Sequence, residues 1–133
     1  MSQSKTRILI VDDDGDLRRS LGEALAEAGY EVGSAANGHD ALMAMRAPPL
    51  PEVILLDLLM PVMNGWQFCQ AKRDNPAIAP IPVIAMSAAV STDPGSPYFI
   101  EVQDFIAKPL ELDELLAKLA ACTARSNLSA STG

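Results

Sequence analysis

Val53-Ile54-Leu55-Leu56-Asp57 is the stretch on which the fold turns: an unbroken apolar run, β-branched at its start and closed by one carboxylate. A strand with one face in water alternates apolar and polar residues. A continuous apolar run is what a central parallel strand needs when helices cover both of its faces. On the amino-terminal side, Arg7 to Val11 reads as a first strand and Glu31 to Ala35 as a weaker second one. On the other side, Pro82 to Met86 supplies a fourth strand and Phe105 to Ala107 a short fifth.

Helical spacing fills the gaps. Leu17, Leu21, Ala24, Leu25 and Ala28 recur on one face before Gly29 stops the helix. Asn37 is a good cap for a helix carrying Ala41, Leu42 and Met45. Pro48, Pro49 and Pro51 mark a loop. A third helix begins near Trp66, after Pro61 and Gly65, and ends before Asn75 and Pro76. Leu112, Leu115, Leu116 and Leu119 put one apolar stripe on a final helix. Strands alternating with helices predict an α/β protein: a doubly wound, five-stranded parallel sheet with helices on both faces. The stretch from Ala88 to Gln103, where a fourth helix should cross between parallel strands, holds Pro94, Gly95 and Pro97. Proline removes a donor and clashes with the preceding turn, so that helix is expected to be irregular.

With 133 residues the chain fits one domain, expected over residues 7–124 between a disordered start, 1–6, and a disordered tail, 125–133. Met1 and the polar tail read as the ends of a complete, stand-alone product. Its apolar stretches are too short to span a bilayer, and Met1 to Arg7 lacks a secretory pattern, so a cytoplasmic location is expected. The net charge of −7, with no basic cluster, disfavours direct nucleic-acid binding. Cys69 and Cys122 form no Cys-x-x-Cys and have only His39 as a possible imidazole ligand, so both read as reduced thiols rather than zinc ligands. His39 reads as an exposed residue in the first turn of the second helix, and Trp66 as packed at the start of the third.

In an open parallel sheet, ligands sit beyond the carboxyl ends of the strands. Those ends carry Asp12 and Asp13 after the first strand, Asp57 after the third, Ser87 after the fourth and Lys108 after the fifth. Two carboxylates about 4 Å apart repel by about 4 kcal/mol at an effective dielectric near 20, so the acids call for a cation. Mg2+ fits, because it binds one or two carboxylates and completes its shell with waters and phosphate oxygens. Beside it a carboxylate oxygen of Asp57 could attack phosphorus to form an acyl phosphate. Lys108 and the Ser87 hydroxyl would hold the phosphoryl oxygens. Each residue has a plainer reading as well. The acidic run could be a solvated helix start, Ser87 a cap, Lys108 a surface lysine and Phe105 plain core. Their joint placement at one sheet edge favours the chemical reading.

On the motifs ILIVDDD (Ile8 to Asp14), VILLDLLMPVMNG (Val53 to Gly65), VIAMSA (Val83 to Ala88) and FIAKP (Phe105 to Pro109), the chain resembles the receiver domain of two-component response regulators from Thr6 to Cys122. The resemblance implies a flavodoxin-like, CheY-like strand order 2-1-3-4-5. It makes Asp57 the phosphoacceptor, and it gives the Mg2+ ligands as Asp12, Asp13, Asp57 and the backbone carbonyl of Leu59. Ser87 and Phe105 would be the switch residues, Lys108 the phosphate-pairing lysine, and the bond before Pro109 often cis. The implied donor is a phosphohistidine on a sensor histidine kinase or a phosphotransfer protein. Such a domain is a phosphoprotein that assists its own phosphorylation and dephosphorylation rather than an enzyme. It signals by protein contact or phosphorelay, as a monomer or a weak phosphorylation-dependent dimer. The lifetime-tuning positions are Leu59 and Ala89, both apolar, which predicts a long-lived phosphoryl group.

Two other readings compete. The first motif also resembles haloacid dehalogenase-type phosphohydrolases, with Asp12 as nucleophile and Asp14 as general acid. That reading lacks the further acidic pair on a strand end and leaves Asp-Leu-Leu-Met-Pro unexplained. A receiver-like interaction module that works without phosphorylation is the other. An EF-hand fails because Ile10 stands where its first ligand should be, and no glycine-rich phosphate loop follows the first strand.

Overall fold

The computed structural model describes residues 6–58, 63–86 and 102–132, with side chains to residue 123. Its elements run β1 (Arg7–Val11), α1 (Gly15–Glu27), β2 (Glu31–Ala35), α2 (Gly38–Ala44), β3 (Val53–Asp57), α3 (Gly65–Arg73), β4 (Val83–Met86), β5 (Asp104–Ile106) and α4 (Leu112–Thr132). All strand pairs are parallel, in the order β2-β1-β3-β4-β5. This is the doubly wound order expected, with β3 at the centre.

Side-chain alternation divides the sheet between two cores. Ile8, Ile10, Val53, Leu55, Ile84, Met86 and Ile106 point to the face covered by Leu21 and Leu25 of α1 and Leu115, Leu119 and Cys122 of α4. Leu9, Val11, Ile54, Leu56, Val83 and Ala85 point the other way, against Ala41 of α2, Met45 just after it, and Phe68 of α3. The unbroken run in β3 is thus two interleaved faces. Burying each large side chain contributes about 1.5–3 kcal/mol relative to leaving it exposed. Among the described residues, edge strand β2, largely exposed, pairs only with β1, which explains its weak apolar signal.

The helix ends obey their local signals. Gly29 has φ 102°, the left-handed conformation that lets the chain leave α1. Asn37 caps α2 through the Asp40 N–H at 2.8 Å. Asn64 and Gln67 form a reciprocal capping box on α3. His39 is exposed in the first turn of α2, and Trp66 packs half-buried against the α2/α3 core, both as expected.

Several boundaries differ from the sequence reading, β4 for one beginning at Val83 rather than Pro82. Strand β5 spans Asp104–Ile106 rather than Phe105 to Ala107. Asp104 is tolerated in the strand because Lys118 of α4 meets its carboxylate at 3.0 Å, and exposed Ala107 already lies past the ladder. Helix α4 runs to Thr132, where a disordered tail was expected from residue 125. No proline or glycine interrupts the sequence before Gly133, and alanine, leucine and arginine favour helix continuation. Thr6 belongs to the fold, its carbonyl accepting from Glu31 N–H at 2.9 Å. The expected disorder of 1–5 and the irregular crossover from 88 fall outside the described residues, Val102 and Gln103 apart.

Lys72, in the last turn of α3, is buried, and its ammonium donates to the Ala79 carbonyl at 2.7 Å. That bond pins the α3–β4 loop. Burial holds the lysine below its ordinary pKa, against the opposing pull of Cys69. The half-buried Cys69 thiol is pushed up to about 11 by burial, with Lys72 and Arg73 acting the other way. Among the described residues neither Cys69 nor Cys122 is joined in a disulfide. No helix among the described residues is long and apolar enough to cross a membrane.

Candidate functional site

The face parity of the strands selects which groups meet at their carboxyl ends. Ile8 and Ile10 face α1 and α4, and one further step of the alternation sends Asp12 to that side. In β3, Leu55 faces the same way, and Asp57 follows two residues later. In β5, Ile106 does so, and Lys108 is two residues on. Alternation thus turns Asp12, Asp57 and Lys108 toward a common side of one edge. Phe105, of opposite parity, packs half-buried against the other core.

Asp12 is fully buried and Asp57 nearly so, whereas Asp13 is exposed. A carboxylate oxygen from each lies within 4.8 Å of the others. The Lys108 ammonium reaches Asp12 Oδ2 at 2.9 Å and Asp57 Oδ1 at 3.6 Å. Burial pulls the lysine's pKa down, but the hydrogen bond and charge of Asp12, together with Asp57, outweigh it and raise it above the ordinary value. Lys108 is therefore a fixed cation that partly offsets the acids. The Lys108–Pro109 bond is cis.

The β1–α1 turn is built to present Asp12 and Asp13. Asp12 N–H extends the sheet ladder to the Ala35 carbonyl at 3.1 Å, and its Oδ1 accepts from Asp14 N–H at 2.9 Å. Asp14 is the N-cap of α1, its Oδ1 accepting from the N–H groups of Asp16 and Leu17 at 3.0 and 3.1 Å. It has no place in the acidic cluster, so the dehalogenase-type role for Asp14 finds no support.

Past β3, Gly65 N–H donates to the Leu58 carbonyl at 2.9 Å and closes the loop that follows Asp57. A Cβ at Gly65 would lie 2.5 Å from Leu58 Cδ2 and 2.7 Å from its Cα, so only glycine lets α3 start this close to the strand end.

The residues fit a hard divalent ion. Three oxygen donors converge, and their mutual repulsion is only partly relieved by one ammonium. Of the residues expected at the site, Asp12, Asp13, Asp57 and Lys108 are brought together. Leu59, Ser87 and Ala89 lie outside the described residues. Sequence reading missed two contributors. Gly65 carried a signal, a glycine between a strand and a helix. Arg18, whose Nη1 donates to the Asp12 carbonyl at 2.7 Å, carried none, because it reads as a solvated helix residue.

Comparison with known proteins agrees with this geometry. The family profile described as the response regulator receiver domain matches residues 8–120. The chain is 33% identical over 128 residues to a probable transcriptional regulator, ycf27, of Pyropia yezoensis, covering 96% of this chain and 51% of that one. It is 36% identical over 127 residues to the response regulator MprA of Mycobacterium ulcerans, covering 92% and 52% respectively. The chain thus spans about half the length of these curated relatives. A crystal structure of a two-component response regulator from Clostridium difficile superposes with a TM-score of 0.79 at 27% identity, covering 92% of this chain and 99% of that one.

Proposed function

The chain belongs to the response regulator receiver family, and from that premise we propose that it accepts a phosphoryl group on Asp57 in a Mg2+-dependent reaction. The observation that carries this is the convergence of Asp12, Asp13 and Asp57 within 4.8 Å beside the Lys108 ammonium.

The donor is a phosphohistidine on a sensor histidine kinase or a phosphotransfer protein. A carboxylate oxygen of Asp57 bonds to phosphorus as the phosphorus–nitrogen bond breaks. The electron pair leaves with the imidazole nitrogen, which then takes up a proton. Asp12, Asp13 and Asp57, with the Leu59 carbonyl that the family resemblance implies, would hold Mg2+, which would supply neutralising charge to the acids and the phosphoryl oxygens. Asp12 keeps Lys108 charged and aimed at the edge. Lys108, already 3.6 Å from Asp57 Oδ1, is placed to pair with a phosphoryl oxygen once one is attached. Phosphorylation replaces one negative charge with about two, and the added oxygens draw on Lys108 and Ser87. Ser87 and Phe105 would carry the change away from the site by shifting an existing equilibrium. The domain assists its own phosphorylation and dephosphorylation, acting on no other substrate.

Output goes through protein contact or a phosphorelay in the cytoplasm, by a monomer or a weak phosphorylation-dependent dimer. The net charge of −7 supports contact with proteins rather than nucleic acid for these residues themselves.

The test is intact-mass measurement after incubation with a small acyl phosphate and Mg2+. One added phosphoryl group is expected, lost on chelation and absent in Asp57→Asn. A wild-type chain that stays unmodified would favour the phosphorylation-independent module. A label retained in Asp57→Asn would move the acceptor elsewhere.

A further inference from the structure

Asp12 is held at four points. Its N–H, Oδ1 and Oδ2 meet the Ala35 carbonyl, Asp14 N–H and the Lys108 ammonium, which the sheet ladder, the turn and the site account for. The fourth point is its carbonyl, which accepts from Arg18 Nη1 at 2.7 Å, and the phosphoryl chemistry has no use for that bond. Arg18 is half-buried on α1. Its guanidinium reaches back six residues to a main-chain oxygen, although Asp13, Asp14 and Asp16 all stand nearby in sequence. Among the described residues it forms no ion pair, whereas Arg19 pairs with Asp16 at 2.7 Å.

The Asp12 carbonyl and the Asp13 N–H belong to one planar peptide unit. Fixing the direction of that C=O fixes the plane, and with it the direction in which Asp13 leaves the turn. Asp13 needs such a constraint, for it is exposed and its carboxylate makes no hydrogen bond among the described residues. We infer that Arg18 is a positioning residue of the cation site: it locks the Asp12–Asp13 peptide so that the Asp13 carboxylate stays within reach of Asp12 and Asp57. It touches neither cation nor phosphoryl group. This rests on the reading that the acidic cluster takes Mg2+.

The sign of the effect separates positioning from charge. A guanidinium beside an acidic cluster repels a divalent cation, so simple charge removal tightens Mg2+ binding. Loss of positioning weakens it. The experiment is calorimetric titration of the full chain with Mg2+, without phosphodonor, on wild type, Arg18→Met and Arg18→Lys. Arg18→Met, which keeps length but no donor, is expected to bind about tenfold more weakly, at the low end of what loss of an outer-shell partner costs. Arg18→Lys restores a donor and recovers most of the affinity. The fitted stoichiometry guards against misfolding, since a partly unfolded variant loses sites rather than affinity. Arg18→Met binding as tightly as wild type or tighter, or Arg18→Lys no better than Arg18→Met, overturns the inference. A wild type that binds no Mg2+ instead removes the reading of the cluster beneath it.

Discussion

Replacing Gly65 by alanine tests whether the loop after Asp57 is set by the close approach of α3 to the end of β3. On helix propensity alone the change should stabilise, because alanine is favoured over glycine within a helix by about 0.5–1 kcal/mol. Sterics oppose this. The new Cβ would lie 2.5 Å from Leu58 Cδ2 and 2.7 Å from Leu58 Cα, and the second of these is main chain that cannot rotate away. Overpacking of this kind costs about 1–3 kcal/mol, and straining the Gly65–Leu58 hydrogen bond adds about 1 kcal/mol. After the propensity gain, a net loss of about 1–3.5 kcal/mol remains. Unfolding entropy of about 2.1 cal/mol/K per residue gives about 0.28 kcal/mol/K for 133 residues. Tm should therefore fall by about 4–12 °C in a circular dichroism melt. Gly22→Ala is the control, since its Cβ would meet only Val32 Cγ1, at an ordinary 3.6 Å. There propensity wins, and Tm should rise by about 2–4 °C. A Gly65→Ala protein as stable as wild type, with Gly22→Ala behaving as stated, would show that Leu58 yields easily and that the tight approach does not set the loop.

The raised pKa of Lys108 has a definite sign in stability. Its contribution is fully present below the ordinary lysine value of 10.5 and is lost as pH rises through the higher folded value. The urea-denaturation gap between wild type and Lys108→Met should thus hold constant from neutral pH and shrink only above 10.5; a gap that closes near neutrality contradicts the ion pair. Asp14→Ala should cost about 0.5–2 kcal/mol through the lost α1 cap yet leave phosphorylation of Asp57 intact, and loss of labelling in a folded Asp14→Ala protein would return Asp14 to the chemistry.

Much of the fold was legible because its signals are local. The strands β1 and β2 lie where the sequence put them, Asn37 starts α2 through its side-chain oxygen, and Gly29, having no side chain, lets the chain leave α1. Asp12, Asp13, Asp57 and Lys108 were found because a parallel sheet sends every strand end to one edge. Less legible were positions whose role depends on a distant partner. Asp104 sits in β5 with Lys118 answering its charge from α4, and Lys72 looks like a solvated helix end until the Ala79 carbonyl meets it.

By itself the sequence determined the period of each segment, and so which residues share a face and which strand ends carry acid, amine or apolar groups. Periodicity is a property of consecutive residues and survives without knowledge of the rest of the chain. Only the tertiary structure decided that Asp12 and Lys108, 96 residues apart, meet at 2.9 Å, and that Arg18 spends its guanidinium on a main-chain oxygen. Those outcomes depend on how the packed strands and helices set backbone positions to within an ångström, which no local pattern encodes.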